Sequence, residues 1–110
     1  MNMNEMCKEM HEISRSKGWY DNDDGKRNVG ELLFLIVTEL AEAYEDYRDS
    51  KIETYLKDGV KPCGFNNEIA DVFIRLGDLC QYMNIDIEKE IRLKADYNKT
   101  RSYRHGGKIA

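Results

Sequence analysis

Residues 29–48 read VGELLFLIVTELAEAYEDYR, and this run decides the fold. Placed at about 100° per residue, Val29, Leu32, Leu33, Ile36, Val37, Leu40, Tyr44 and Tyr47 fall on a single stripe. The pattern is that of an amphipathic helix, and Asn28 before it is a good N-cap. A second run carries the same period through Ile69, Val72, Phe73, Leu76, Leu79, Cys80 and Met83. It predicts a helix capped by Asn66 or Asn67 and continuing to about Met83. Upstream, Met3, Met6, Met10 and Ile13 form the stripe of a helix from Met3 to Lys17, stopped by Gly18; methionines at this spacing suit core or subunit contact. Downstream, Asn84 or Asp86 starts a fourth helix reaching about Arg101. The connection from Asp49 to Phe65, with Gly59, Pro62 and Gly64, is longer than a helix–helix turn needs. A lid, an oligomer contact or an irregular hairpin would use that length. The expected fold is therefore all-α: an antiparallel bundle of about four helices in a single domain spanning residues 1–110. So small a domain buries a modest core, and oligomerisation would complete it.

Inside the two central runs, Glu39-Leu40-Ala41-Glu42 and Glu68-Ile69-Ala70-Asp71 are nearly the same tetrapeptide. Carboxylates at i and i+3 share one helix face, a turn apart. Relative to Val29, Glu39 falls at about 280° and Glu42 at about 220°; relative to Ile69, Glu68 falls at about 260° and Asp71 at about 200°. Both pairs thus occupy the same flank of their stripes, with Glu39 at the stripe's edge and Asp46 beside the first pair. Ala41 and Ala70 would let the helices approach. One such pair is ordinarily a solvated face. Two on matched flanks gather four carboxylates, whose repulsion and desolvation cost several kcal/mol unless a cation lies among them. Oxygen-only ligands suit Mg²⁺, with Mn²⁺ as substitute. Arg75, four residues after Asp71, suits either a salt bridge to it or a phosphate contact. A Glu-x-x-His di-iron pattern is missing, since neither His11 nor His105 follows a glutamate at that spacing.

The net charge of −4 gives the whole chain no attraction to nucleic acid. Its distribution is uneven: after Asp96 come Lys99, Arg101, Arg104 and Lys108 and no acid. No run approaches the roughly 20 apolar residues of a membrane span. The N-terminal residues carry no basic region followed by an apolar stretch, and Cys7, Cys63 and Cys80 form no metal or redox spacing. Reduced thiols in a cytoplasmic protein are the expectation. Cys80 falls on the core stripe and reads as inert.

On the fourth helix, Ile87, Ile91, Lys94, Asn98 and Arg101 share a face that turns from apolar to cationic. Lys94, Asn98 and Arg101 could bind phosphate by charge and a base edge by amide hydrogen bonds. Trp19 in the polar loop from Gly18 to Arg27 is either a loop anchor or a stacking platform for a base. The tail Tyr103-Arg104-His105-Gly106-Gly107-Lys108 is a solvated end or a phosphate clamp.

Together these residues resemble the MazG-like, all-α nucleoside triphosphate pyrophosphohydrolases. Their ExxE…ExxD signature is matched by Glu39/Glu42 and Glu68/Asp71. Lys17-Gly18-Trp19-Tyr20-Asp21 looks like the family's loop before that helix, and Lys94, Asn98 and Arg101 resemble its C-terminal element. The resemblance covers about residue 10 onward; Thr38 stands where the family often has an extra acid. It implies Mg²⁺-dependent cleavage of a (deoxy)nucleoside triphosphate between the α and β phosphates, giving the monophosphate and pyrophosphate. It also implies a homodimer or homotetramer whose sites draw on a neighbouring subunit. On this reading Glu39, Glu42, Glu68 and Asp71 hold metal, and Glu39 accepts the proton of the attacking water. Lys94 and Arg101 balance charge on the pyrophosphate, and Asn98 and Trp19 hold sugar or base. The alternative is a non-catalytic helical oligomer that senses nucleotides.

Overall fold

A computed structural model describes residues 1–109, except for the side chains of Asp23 and His105, so His105 of the basic tail lies outside the described set. The chain forms α1 (Met3–Ser16), a 3₁₀ turn (Asp23–Gly25), α2 (Val29–Arg48), β1 (Tyr55–Lys57), β2 (Lys61–Cys63), α3 (Phe65–Tyr82), α4 (Ile87–Lys99) and a last short turn α5 (Arg104–Gly107). Helix α2 has the bounds its periodicity dictates, and the Asn28 side chain accepts from the Glu31 N–H at 3.0 Å. Asn2 and Asp86 cap α1 and α4 in the same way. Helix α4 ends at Lys99, short of Arg101.

The start of α3 departs from expectation. Neither Asn66 nor Asn67 caps it; the helix begins at Phe65, after Gly64, with no side-chain cap. The first amides are instead taken by the chain that leaves α2: Phe65 N–H donates to Lys51 O at 2.8 Å and Asn66 N–H to Ile52 O at 3.0 Å. This backbone clamp makes a capping side chain redundant. Gly64 permits it, with φ at +109°, because a Cβ there would lie 2.4 Å from Glu53 O. The residues between are an antiparallel hairpin pairing Tyr55 with Cys63 and Lys57 with Lys61, the irregular hairpin among the three expectations for this segment.

Helix α3 packs against both α1 and α2, and the core is Leu32, Ile36, Val72 and Leu79, with Val29 and Tyr82 against it. Helix α4 packs against the start of α1, where Asn4 donates to Asp86 at 2.9 Å and accepts from Glu88 N–H at 3.4 Å. No residue of α4 is buried. All-α is thus the class, with three helices closely packed and the fourth set against one end.

The buried row of α2 is Leu32, Ile36, Glu39 and Ala43. That row corrects two expectations. Glu39 lies within the buried row, not at its edge, and the small residue that admits α3 is Ala43, while Ala41 and Ala70 are exposed. The remaining stripe residues of α2, Leu33, Val37, Leu40, Tyr44 and Tyr47, are between 48% and 60% exposed. On α3, Phe73 and Leu76 are likewise uncovered. The accessible surface is 8555 Å², against roughly 6,300 Å² for a compact monomer of this mass. The radius of gyration is 16.9 Å, against about 13 Å for a compact chain of this length. A single copy leaves much of its apolar stripe without a partner.

Candidate metal and nucleotide site

Antiparallel packing of α2 on α3 brings the two acidic tetrapeptides together. One carboxylate oxygen from each of Glu39, Glu42 and Glu68 lies within 4.8 Å of the others. Asp71 is the neighbour of this trio, near enough for its carboxyl to feel the Glu39 charge and for its own charge to bear on Glu68. Glu39 is 8% exposed. Its Oε1 accepts from Arg75 Nε at 2.9 Å, and the Arg75 side chain runs outward to 42% exposure. Arg75 therefore pairs across the helix interface with Glu39, not along its own helix with Asp71. A buried carboxylate needs that charge more than a half-exposed one does. The pairing leaves Glu39 Oε2 free to join the trio.

The rest of the cluster is short of positive charge. Glu68 Oε2 is buried with no hydrogen-bond partner. Burial pushes the Glu68 carboxyl up to about 7, and the charges of Asp71, Glu42, Glu39 and Asp46 add to it. Desolvation raises Glu42 as well, followed by Glu39. Asp71 is raised by burial and by Glu39, with Arg75 and Lys61 pulling it partly back. Three neighbouring carboxyls that all favour the proton mark a place where negative charge is crowded and desolvated. Oxygen-only ligands, one of them buried and unpartnered, fit a hard divalent ion. Glu42 and Glu68 open toward Asp46 and the hairpin residue Lys61.

On the other side of this seam, α1, α2 and α3 enclose a cavity of about 450 Å³. Glu39 and Asp71 line it, and so do Trp19, Arg27, Arg75 and Asp78. Trp19 is 62% exposed, and the Arg27 guanidinium lies 5.8 Å from its ring centroid. Below it is a network that sequence reasoning did not pick out. Asp78 Oδ1 accepts from the Tyr20 hydroxyl at 3.1 Å and pairs with His11 Nδ1 at 2.7 Å. The Tyr20 ring meets the His11 ring edge-on at 4.8 Å. Burial and the Asp78 charge hold the Tyr20 hydroxyl protonated far above its ordinary range. The Tyr82 hydroxyl accepts from Arg27 N–H at 2.8 Å, fixing the loop to α3. Spacing along α3 puts Asp71, Arg75 and Asp78 on one face at i, i+4 and i+7, but it says nothing of His11 or Tyr20.

The structure brings Glu39, Glu42, Glu68 and Asp71 into one cluster, with Trp19 lining the adjoining cavity. It does not bring Lys94, Asn98 and Arg101 there. Lys94 and Asn98 are exposed on α4 and Arg101 is exposed just beyond its end, with the Lys94 and Arg101 cations 5.9 and 5.7 Å from the Tyr97 ring centroid. Cys7 and Cys80 are buried, Cys63 is half-buried, and all three are free thiols.

Comparison with protein-family models, with curated proteins and with solved structures finds no match. Function is therefore read from the chain's own side chains. Among the described residues, no helix is long and apolar enough to cross a membrane.

Proposed function

We propose that this chain hydrolyses (deoxy)nucleoside triphosphates between the α and β phosphates in a Mg²⁺-dependent reaction, releasing pyrophosphate. The observation that carries the reading is the Glu39/Glu42/Glu68 cluster with its buried, partnerless Glu68 oxygen. A structural ion-pair network would have supplied a basic partner there; this one supplies Arg75 to Glu39 alone. Glu39, Glu42, Glu68 and Asp71 would hold the ion, with Mn²⁺ as a substitute. A bound Mg²⁺ supplies phosphate charge neutralisation and a more acidic water.

The chain's own residues divide the remaining work. Arg75 fixes the Glu39 carboxylate and presents the outer part of its guanidinium to the cavity, where a phosphate oxygen would accept from it. Glu39 is the proton acceptor that the sequence alone points to. With Oε1 of Glu39 already engaged by Arg75, Glu68 Oε2 is the freer base. Trp19 offers a ring face at the cavity mouth for a base.

Association is part of the same proposal. The uncovered stripe of α2, from Leu33 to Tyr47, supports a homodimer or homotetramer. In such an assembly Lys94, Asn98 and Arg101 of one copy would serve the carboxylates of another. A nucleotide sensor that cleaves nothing is the second reading, favoured by the distance of those three residues from the carboxylates in a single copy.

The test is pyrophosphate release from a panel of ribo- and deoxyribonucleoside triphosphates with Mg²⁺, repeated in EDTA. Product in Mg²⁺ that disappears in EDTA supports hydrolysis. Saturable binding with no product from any triphosphate supports the sensor.

A further inference from the structure

The cavity has two chemically distinct ends. Along α3 its wall carries Asp71, Arg75 and Asp78 in succession, a reach of roughly 10 Å at 1.5 Å per residue. Along α2, running the other way, it carries Glu39, then Leu35, then Leu32. Glu39 and Asp71, the two members of the carboxylate cluster that line this cavity, lie at one end and Asp78 lies at the other; between them Leu32, Leu35 and Ile74 make an aliphatic stretch beside Arg75. A nucleotide with its phosphates at the cluster would lay its base along the aliphatic stretch. The base atoms farthest from its ribose would then reach Asp78.

Asp78 is held as an acceptor. Its side chain is 15% exposed, and both of its side-chain partners, His11 and Tyr20, use Oδ1. Oδ2 keeps its full acceptor capacity, and an ionised carboxylate has no proton to donate. The two donors on Oδ1 fix the orientation of the group, as a recognition element requires. Cytosine and adenine carry an amino donor at the position farthest from the sugar; uracil, thymine and hypoxanthine carry a carbonyl oxygen there. Against a fixed carboxylate the first is satisfied and the second sets acceptor against acceptor.

We propose that Asp78 reads the base, making this cavity a site for nucleotides of cytosine or adenine in preference to uracil, thymine or hypoxanthine. The proposal rests on the nucleotide reading given above, and it adds a specificity residue on the face opposite the metal-binding edge.

Equilibrium titration of the full chain in Mg²⁺ with two matched pairs, CMP against UMP and AMP against IMP, tests it. The amino member of each pair is expected to bind on the order of 10- to 100-fold more tightly. In Asp78→Asn the amide can present oxygen or nitrogen, and the preference should shrink to within about threefold. Should that variant lose its helical circular dichroism, the wild-type chain still decides through N4,N4-dimethyl-CMP, which has no amino hydrogen and should bind no better than UMP. Equal binding within both pairs, no binding of any of the four, or an unchanged preference in folded Asp78→Asn would each overturn the proposal. Monophosphate binding needs no hydrolysis, so it judges Asp78 even if no triphosphate is cleaved. Cleavage without base preference would sink Asp78 alone.

Discussion

Two rows of α2, one residue out of step, have opposite fates. Leu32, Ile36, Glu39 and Ala43 are buried against the neighbouring helices; Leu33, Val37, Leu40 and Tyr44 stand in water. One step along a helix is a turn of about 100°, so the chain has oriented a charged residue inward and a run of aliphatic and aromatic residues outward. Burial energy alone would choose the reverse, at about 25 cal/mol for each Å² of apolar surface left wet. The difference teaches that apolar periodicity alone does not choose the buried row; on the proposed function a cation would offset the charge of the inner row and a second copy would cover the outer one.

The strongest way to break this comparison is to neutralise the α3 acid that faces Glu39 of the inner row. Glu68→Gln should cut pyrophosphate release by at least about a hundredfold, since it removes one of the ligand oxygens and the freest base. In metal-free buffer the same variant should melt higher than wild type, because the repulsion it relieves is real in the absence of metal. Full activity, or a lower melting temperature, would remove the inner row's claim to a functional role.

Charging the outer row is next in size. Val37→Glu should convert the assembly to monomers in sedimentation equilibrium while far-UV circular dichroism keeps its helical form. A wild-type chain already monomeric at high micromolar concentration would leave the outer row without an explanation in self-association.

Arg75→Met sharpens the contrast between the rows by leaving Glu39 unpaired. The expected loss is about 1–2 kcal/mol, moderated because Arg75 is partly exposed. Much of it should return on adding Mg²⁺ or Mn²⁺, which replaces the missing charge. Denaturant titrations with and without the ion measure both effects.

The smallest expected effect concerns pH. The carboxyls of Glu68, Glu42 and Asp71 are raised in the folded chain. The folded state therefore binds more protons than the unfolded one between their ordinary values and, for Glu68, about 7. Stability without metal should then fall as pH rises from about 4.5 toward 7 and level off above it. Thermal melts from pH 5 to 8 in EDTA read this slope, and Mg²⁺ present across the same range should flatten it. A slope of the opposite sign would show that the cluster is not desolvated.

Much of this was legible in the chain. The bounds of α2 follow from its period and from Asn28, and the matched tetrapeptides placed the four acids on facing flanks. Periodicity could not say which part of a wide stripe the chain covers by itself. The stripe of α2 is the union of a face toward α3 and a face toward solvent, and a list of apolar positions merges the two. Glu39 consequently read as an edge residue although it lies inside. The partner of Arg75 was hidden for a related reason: spacing along one helix points to Asp71, whereas the pairing is decided across two helices by which acid is buried. The His11–Asp78–Tyr20 network joins three segments distant in sequence, and no local pattern announces it. The start of α3 was misjudged because its amides are taken by backbone from the preceding segment.

That clamp has a practical consequence. At the base of the hairpin no side chain fits at Gly64, yet at its tip Gly59 has open space around it and Val60 is 79% exposed. The hairpin is thus anchored at its root and unencumbered at its end, with Lys61 held near the acids. A dye attached through Val60→Cys would ride on an anchored arm beside the Glu42 and Glu68 carboxylates, where a change of its fluorescence on adding Mg²⁺ would report any ion that binds there.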